Sequence, residues 1–179
     1  CKLTAEDIYS VNKASLKDAI VGLGNAGRPF RHFCSGEIIS DKGLVLTNHH
    51  CGFGVIQKHS TLEHDYLSDG FWAYDMKDEL LNPGITASIL QRMEDVSDKV
   101  NAVLNDNMTE EERAQAIAVI SKQLSTEAVK GTNLQAQVIA MLEGNQFFLL
   151  VYKIYQDVRL VGAPPQSMGK FGGDTANWV

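Results

Sequence analysis

Gly43-Leu44-Val45-Leu46-Thr47-Asn48-His49-His50-Cys51-Gly52 is the stretch on which the fold turns. It sets two histidines and a cysteine directly after a short apolar run bounded by turn residues. That is the pattern of a buried strand delivering its last residues into a site. Upstream, Phe33-Cys34-Ser35-Gly36-Glu37-Ile38-Ile39 forms a second run. Ser40-Asp41-Lys42-Gly43 between the two has turn chemistry, so residues 30–47 read as an antiparallel strand pair. A histidine in this place has three readings: a polar residue satisfied at a strand end, a metal ligand, or a general base.

Composition narrows the setting. The chain has 179 residues, 44% apolar and 21% charged, with a formal net charge of −6. That length suits one domain with a substantial core and excludes a fibrous or disordered chain. The acidic balance argues against a nucleic-acid partner, which calls for a basic face. No apolar run approaches the ~20 residues that cross a bilayer, and Cys1-Lys2-Leu3 does not look like a signal peptide. The chain reads as one already trimmed. Three cysteines allow one bridge and a spare, and the placement of Cys34 and Cys51 argues for an oxidising compartment.

Away from the centre the pattern is mixed α and β, without repeats. Thr4 with Asp7 forms a capping box that predicts a helix over residues 4–21, with Ile8, Val11, Leu16 and Ile20 on its inner face. Asp95 predicts a second helix over 95–106. Thr109 with Glu112 predicts a third over 109–130, with Ile117, Ile120, Leu124 and Ala128 along one side and Gly131 as its stop. Ile85 to Arg92 reads as a strand. Leu134 to Leu142 and Gln146 to Tyr155 read as a hairpin turning at Glu143-Gly144-Asn145, and Val158 to Val161 as a possible extension of the sheet. Residues 52–83 show no sustained period and are assigned little regular structure. The glycine- and proline-rich tail from Gly162 reads as ordered loop serving a site.

Two constellations weigh less than they first promise. Gly22-Leu23-Gly24-Asn25-Ala26-Gly27 matches the dinucleotide-binding glycine pattern, but that motif follows a strand and opens a helix. Here it follows a predicted helix, so a helix end and connector is the better reading and no cofactor is assigned. Five histidines at 32, 49, 50, 59 and 64, near Cys34 and Cys51, raise a zinc site. The spacing offers neither Cys-x-x-Cys nor His-Glu-x-x-His, and no metal is assigned.

The segment from Phe33-Cys34-Ser35-Gly36 through Leu44-Val45-Leu46-Thr47 to His50-Cys51 resembles chymotrypsin-fold proteases, in which a cysteine pair ties two strands beside the base histidine. The resemblance narrows with His59-Ser60-Thr61-Leu62-Glu63-His64-Asp65-Tyr66-Leu67, Asp69-Gly70-Phe71-Trp72-Ala73 and Gly172-Gly173-Asp174-Thr175-Ala176-Asn177-Trp178. Together these are similar to the bacterial dipeptidyl-peptidase 7 and 11 family of exported serine exopeptidases, over essentially the whole chain. The fold implied is mainly β with helical insertions: residues 1–179 form a single segment, the amino-terminal barrel portion of a chymotrypsin-like double β-barrel.

The resemblance implies a role for each matching residue. His50, not His49, matches the histidine that takes the proton from the nucleophilic serine and returns it to the leaving amine. A Cys34–Cys51 disulfide stands behind it. Asn177 and Trp178 match the pair that holds the substrate's free amino terminus, a carboxamide oxygen accepting from the ammonium and an indole walling the pocket. The partners implied are peptides with a free N-terminus, with no nucleic acid, no membrane span and a homodimer at full length. The location implied is periplasmic or secreted. Two departures stand out. The family reads Gly-Gly-Asp-Thr-Asp-Asn-Trp-Met where this chain has Ala176 and Val179, and its aspartate and serine fall beyond Val179, so neither Asp157 nor Asp174 matches the triad position. This segment is therefore expected to be inactive alone. The competing reading is a non-catalytic trypsin-like binding module or a degenerate remnant.

Overall fold

In the computed structural model, which describes residues 2–10 and 15–169, both capping boxes are formed. Thr4 Oγ1 accepts from the Asp7 amide at 3.2 Å, and Asp7 Oδ2 accepts from the Thr4 amide at 2.7 Å. Thr109 and Glu112 repeat the exchange at 3.3 and 2.9 Å. The elements in chain order are α1 Ala5–Ile8, β1 Ile20–Asn25, β2 Cys34–Ile38, β3 Val45–Thr47, α2 His49–His59, α3 Tyr66–Asp69, β4 Phe71–Trp72, β5 Leu80–Leu81, β6 Ile85–Asp95, α4 Ser97–Asn101, α5 Glu110–Ala128, β7 Gln135–Met141, β8 Gln146–Tyr155, β9 Arg159–Leu160, β10 Gly162–Ala163 and α6 Gln166–Gly169. The antiparallel sheets with helical insertions expected from the sequence are present. The contacts divide the chain into two compact units, one of Cys1–Asp18 with Ser88–Ile154 and one of Ala19–Ala87 with Tyr155–Val179.

In the first of these units, α5 lies against the β7–β8 hairpin, which pairs from Gln135↔Tyr152 to Met141↔Gln146. Val96, Val100, Leu124, Phe147, Leu149 and Val151 form the buried core, and Ile117, Ile120 and Ala128 of α5 pack on it. The face read from the helical spacing is therefore the face that is buried. The hairpin turns through Leu142, Glu143 and Gly144, all at positive φ (49°, 57° and 86°), and Asn145 closes it by donating Nδ2–H to the Leu142 carbonyl at 2.7 Å. Helix α4 ends at Asn101, short of the predicted 106. From there a turn bond from the Leu104 amide to the Asn101 carbonyl, at 3.0 Å, and the turn-forming Asn105-Asp106-Asn107 take the backbone out of the helix.

The predicted helix over 4–21 is the larger correction. Tyr9 is already extended, a 3-10 turn covers Leu16–Ala19, and Ile20 begins β1. Of the supposed inner face, Val11 lies outside the described residues, and Ile8, Leu16 and Ile20 are each more than half exposed. What wins is strand pairing. β1 runs antiparallel to β2 with Ile20↔Glu37, Val21↔Gly36, Gly22↔Ser35 and Leu23↔Cys34, burying Val21 and Leu23 completely or nearly so. The glycine pattern at residues 22–27 thus starts inside a strand and not behind a helix. Gly24 lets the chain return on itself, since a Cβ there would stand 2.9 Å from the Pro29 carbonyl oxygen.

In this second unit the order continues β3-β2-β1 and on to the start of β6. The predicted β2–β3 hairpin is present, with register Ile38↔Val45, Glu37↔Leu46 and Gly36↔Thr47. Its turn is held by Ser40 Oγ, which accepts from the amides of Lys42 and Leu44, and by Gly43 at φ 80°. Residues 52–83 hold more structure than their sequence shows. Helix α2 runs 11 residues, α3 follows, β4 pairs with β10 and β5 with β9. Gly52 and Gly54 each weaken α2 by about 1 kcal/mol relative to alanine, and Ile56 is its only buried residue, so no apolar period announces it. Tertiary ties make it a helix. Among the described residues no helix is long and apolar enough to cross a membrane.

Candidate active site

The site begins where two strands and a helix meet. Gly36 is buried at the centre of β2, and a Cβ there would stand 2.6 Å from the Leu46 carbonyl oxygen and 2.9 Å from Val45 Cγ1. Only glycine admits β3 so closely. Thr47, at the end of β3, donates its hydroxyl to the Ser35 carbonyl at 2.7 Å, which pins the point where the chain leaves the sheet. Asn48 is the extended N-cap residue of α2, and its carbonyl accepts from the Cys51 amide at 3.0 Å. The histidine pair therefore sits in the first turn of a helix, not at the end of a strand as its sequence suggested.

That difference separates the two histidines. Successive helical residues point about 100° apart, so His49 and His50 cannot share a direction. His49 turns inward: its Nε2 is buried and its ring stands edge-on to Phe53, centroids 6.3 Å apart. His50 is exposed. Behind it Cys34 and Cys51 are joined, Sγ–Sγ 2.05 Å and Cα–Cα 5.9 Å, tying the first residue of β2 to the third of α2. A ring nitrogen of His50 and the two sulfurs all lie within 4.8 Å of one another. Because the sulfurs are bonded together, the trio offers one imidazole and no thiolate, which is not a zinc donor set. Closing a loop of this length contributes about 3 kcal/mol by constraining the unfolded chain.

The remaining histidines have other work. His59, in the last turn of α2, places Nε2 2.8 Å from Asn82 Oδ1, and Asn82 is buried. The carbonyl oxygen of a carboxamide only accepts, so Nε2 carries the proton. The ring of His64 stacks on Tyr66, centroids 6.1 Å apart, and Tyr66 meets Phe71 at 5.0 Å. His32 lies over Gly22, where a Cβ would stand 2.4 Å from its ring, and partial burial holds its pKa below the usual histidine value despite an opposing bond to the Pro29 backbone.

Asp65 caps α3, its Oδ1 accepting from the Leu67 and Ser68 amides and its Oδ2 from the Ser68 hydroxyl at 2.6 Å. The bonds from Ser68 hold its carboxyl below the usual range. Asp157 is clamped by Arg159, with Nε and Nη2 both at 2.8 Å, and that guanidinium likewise lowers its pKa. It is a surface ion pair. Asn177, Trp178, Ala176 and Asp174 lie outside the described residues. Of the residues predicted for the site, the structure brings together His50, Cys34 and Cys51. It adds the His59–Asn82 pair, for which no sequence signal exists because the partners are 23 residues apart.

Comparison with known proteins follows the same lines. The chain is 48% identical to dipeptidyl-peptidase 7 of Phocaeicola vulgatus and 47% identical to the Asp/Glu-specific dipeptidyl-peptidase of Capnocytophaga gingivalis, each over 99% of this chain and 24% of the relative. The crystal structure of Porphyromonas endodontalis DPP11 in an alternate conformation superposes with a TM-score of 0.80 at 39% identity, over 99% of this chain and 26% of that one. The same protein in complex with the dipeptide Arg-Glu gives 0.78 at 38% identity. The chain thus spans about a quarter of the length of the relatives it matches. The family model for peptidase S46 matches residues 1–179, and this chain belongs to the peptidase S46 family.

Proposed function

We propose that this chain carries the general base of a serine dipeptidyl-peptidase that releases dipeptides from the free amino terminus of peptides. The supporting observation is His50: an exposed imidazole in the first turn of α2, backed by the Cys34–Cys51 bridge and distinct from its inward-facing neighbour His49. In the acyl-transfer scheme, His50 accepts the proton of the attacking serine hydroxyl. It then protonates the departing amine and activates the water that releases the dipeptide. The resemblance carries the serine and the orienting aspartate to chain beyond Val179. Asn177 and Trp178 would hold the substrate ammonium, which places cleavage two residues from the N-terminus.

The peptide-binding reading has support in the relatives, whose names specify dipeptidyl-peptidases, and in the crystal structure of Porphyromonas endodontalis DPP11 bound to the dipeptide Arg-Glu. Export to the periplasm or beyond, where a disulfide persists, and dimerisation at full length belong to the same proposal. The test is a full-length protein assayed on fluorogenic dipeptidyl substrates. His50→Ala is expected to lower kcat by about 10⁴-fold or more, whereas a blocked N-terminus on the substrate abolishes release. An active His50→Ala protein would sink the assignment of His50 as the base, whereas an unmutated full-length protein that releases no dipeptide would favour a non-catalytic binding module.

A further inference from the structure

Helix α2 bears His50 yet has little apolar anchorage, since Ile56 is its only buried residue. Besides its packing against α3, α6 and β10, three ties are spread along its length. The disulfide holds the first turn through Cys51, Ile56 holds the middle, and the His59–Asn82 bond, at 2.8 Å, holds the last turn. The helix does not need that last bond in order to end. Its C-terminal carbonyls are already met by Ser60, whose amide donates to Ile56 and Gln57 and whose hydroxyl donates to Ile56 at 2.9 Å. The bond acts between elements.

Asn82 is built to receive it. The residue is 6% exposed. Its amide donates to the Val158 carbonyl at 2.9 Å, and its own carbonyl accepts from the Ile85 amide at 3.2 Å. Both main-chain groups are engaged, so Oδ1 projects from a backbone position that is already held. Burying a carboxamide costs free energy unless it is bonded, and an aliphatic side chain would fill such a place without that cost. What a directional bond supplies and an aliphatic contact does not is a defined angle and distance for the end of α2.

We infer that Asn82 and His59 are positioning residues: by pinning the far end of α2, they fix the direction in which His50 is presented, about 13 Å away along the helix axis. This rests on the reading of His50 as general base. Without that bond the last turn of α2 is held by packing alone, which leaves its direction less defined, and a misplacement of about 1 Å at a reacting group can cost 10²-fold in rate. The pair thus acts on the catalytic step and not on substrate affinity.

The test is a kcat and KM comparison of full-length His59→Ala, His59→Gln, Asn82→Ala and His50→Ala on a fluorogenic dipeptidyl substrate, each corrected for folded protein by circular dichroism. Gln places a donor where His59 Nε2 stands. The expected result is a fall in kcat of roughly 10- to 100-fold in His59→Ala and Asn82→Ala with KM within about twofold, and recovery of most of it in His59→Gln. Should Asn82→Ala not fold, the two His59 variants carry the comparison. Wild-type kcat in His59→Ala, or equal losses in His59→Ala and His59→Gln, would overturn the inference while leaving His50 as base. Activity in His50→Ala would remove the reading on which it rests.

Discussion

His50 and His49 differ by one position in the chain and by a complete change of surroundings. The residues alone left both open as base, ligand or satisfied polar group, and only the flanking motifs selected His50. The structure separates the two, because a helical start sends neighbouring side chains about 100° apart and leaves one ring against Phe53 and the other exposed. Gly36 acts at the same scale. A methyl group at that position meets the Leu46 carbonyl at 2.6 Å, an atom that cannot move without opening β3. Gly36→Ala is therefore expected to destabilise the chain by about 1–3 kcal/mol, read as a lower urea midpoint. An unchanged midpoint would mean that β2 and β3 separate without cost. Nothing in the sequence marks Gly36 above the other glycines, since its crowding comes from a partner strand.

Among the elements, α5 and the two hairpins were legible because their signals are local. A capping box, an apolar stripe and a stop glycine are all contained within 23 residues of one another, and each is formed as read. Thr109→Ala should cost about 1 kcal/mol, measured by thermal unfolding near neutral pH. The effect has a pH dependence. Bonds from the Thr109 amide and hydroxyl hold the Glu112 carboxyl below its ordinary value, so its contribution is present above the unfolded pKa and is lost as pH falls through the lower, folded value. The gap between variant and wild type should narrow in acid. A gap independent of pH would place the whole effect on the Thr109 hydroxyl. Helix α1 shows the opposite case, where an equally well-formed box opens only Ala5–Ile8. A cap permits a helix, but burial extends it, and Ile8, Leu16 and Ile20 bury little.

At the scale of the whole molecule, two compact units share one chain, and the chain spans about a quarter of the length of its relatives. If His50 is the base proposed above, it has almost no catalytic value without a nucleophile, because triad members act as a unit. The 179-residue chain alone is therefore expected to release no dipeptide from a substrate that the full-length protein cleaves. Robust turnover by the short chain would show that the reaction uses other residues. The sequence by itself determined the β2–β3 and β7–β8 hairpins, α5 with its buried face, and membership of a peptidase family, since turn chemistry, periodicity and long motifs are properties of neighbours along the chain. The tertiary structure alone decided that residues 49–59 form a helix, that Ile20 to Asn25 form a strand, and that His59 is tied to Asn82. In each case the deciding partner is distant in sequence: Cys34 for Cys51, β2 for β1, and a buried carboxamide 23 residues on for the end of α2.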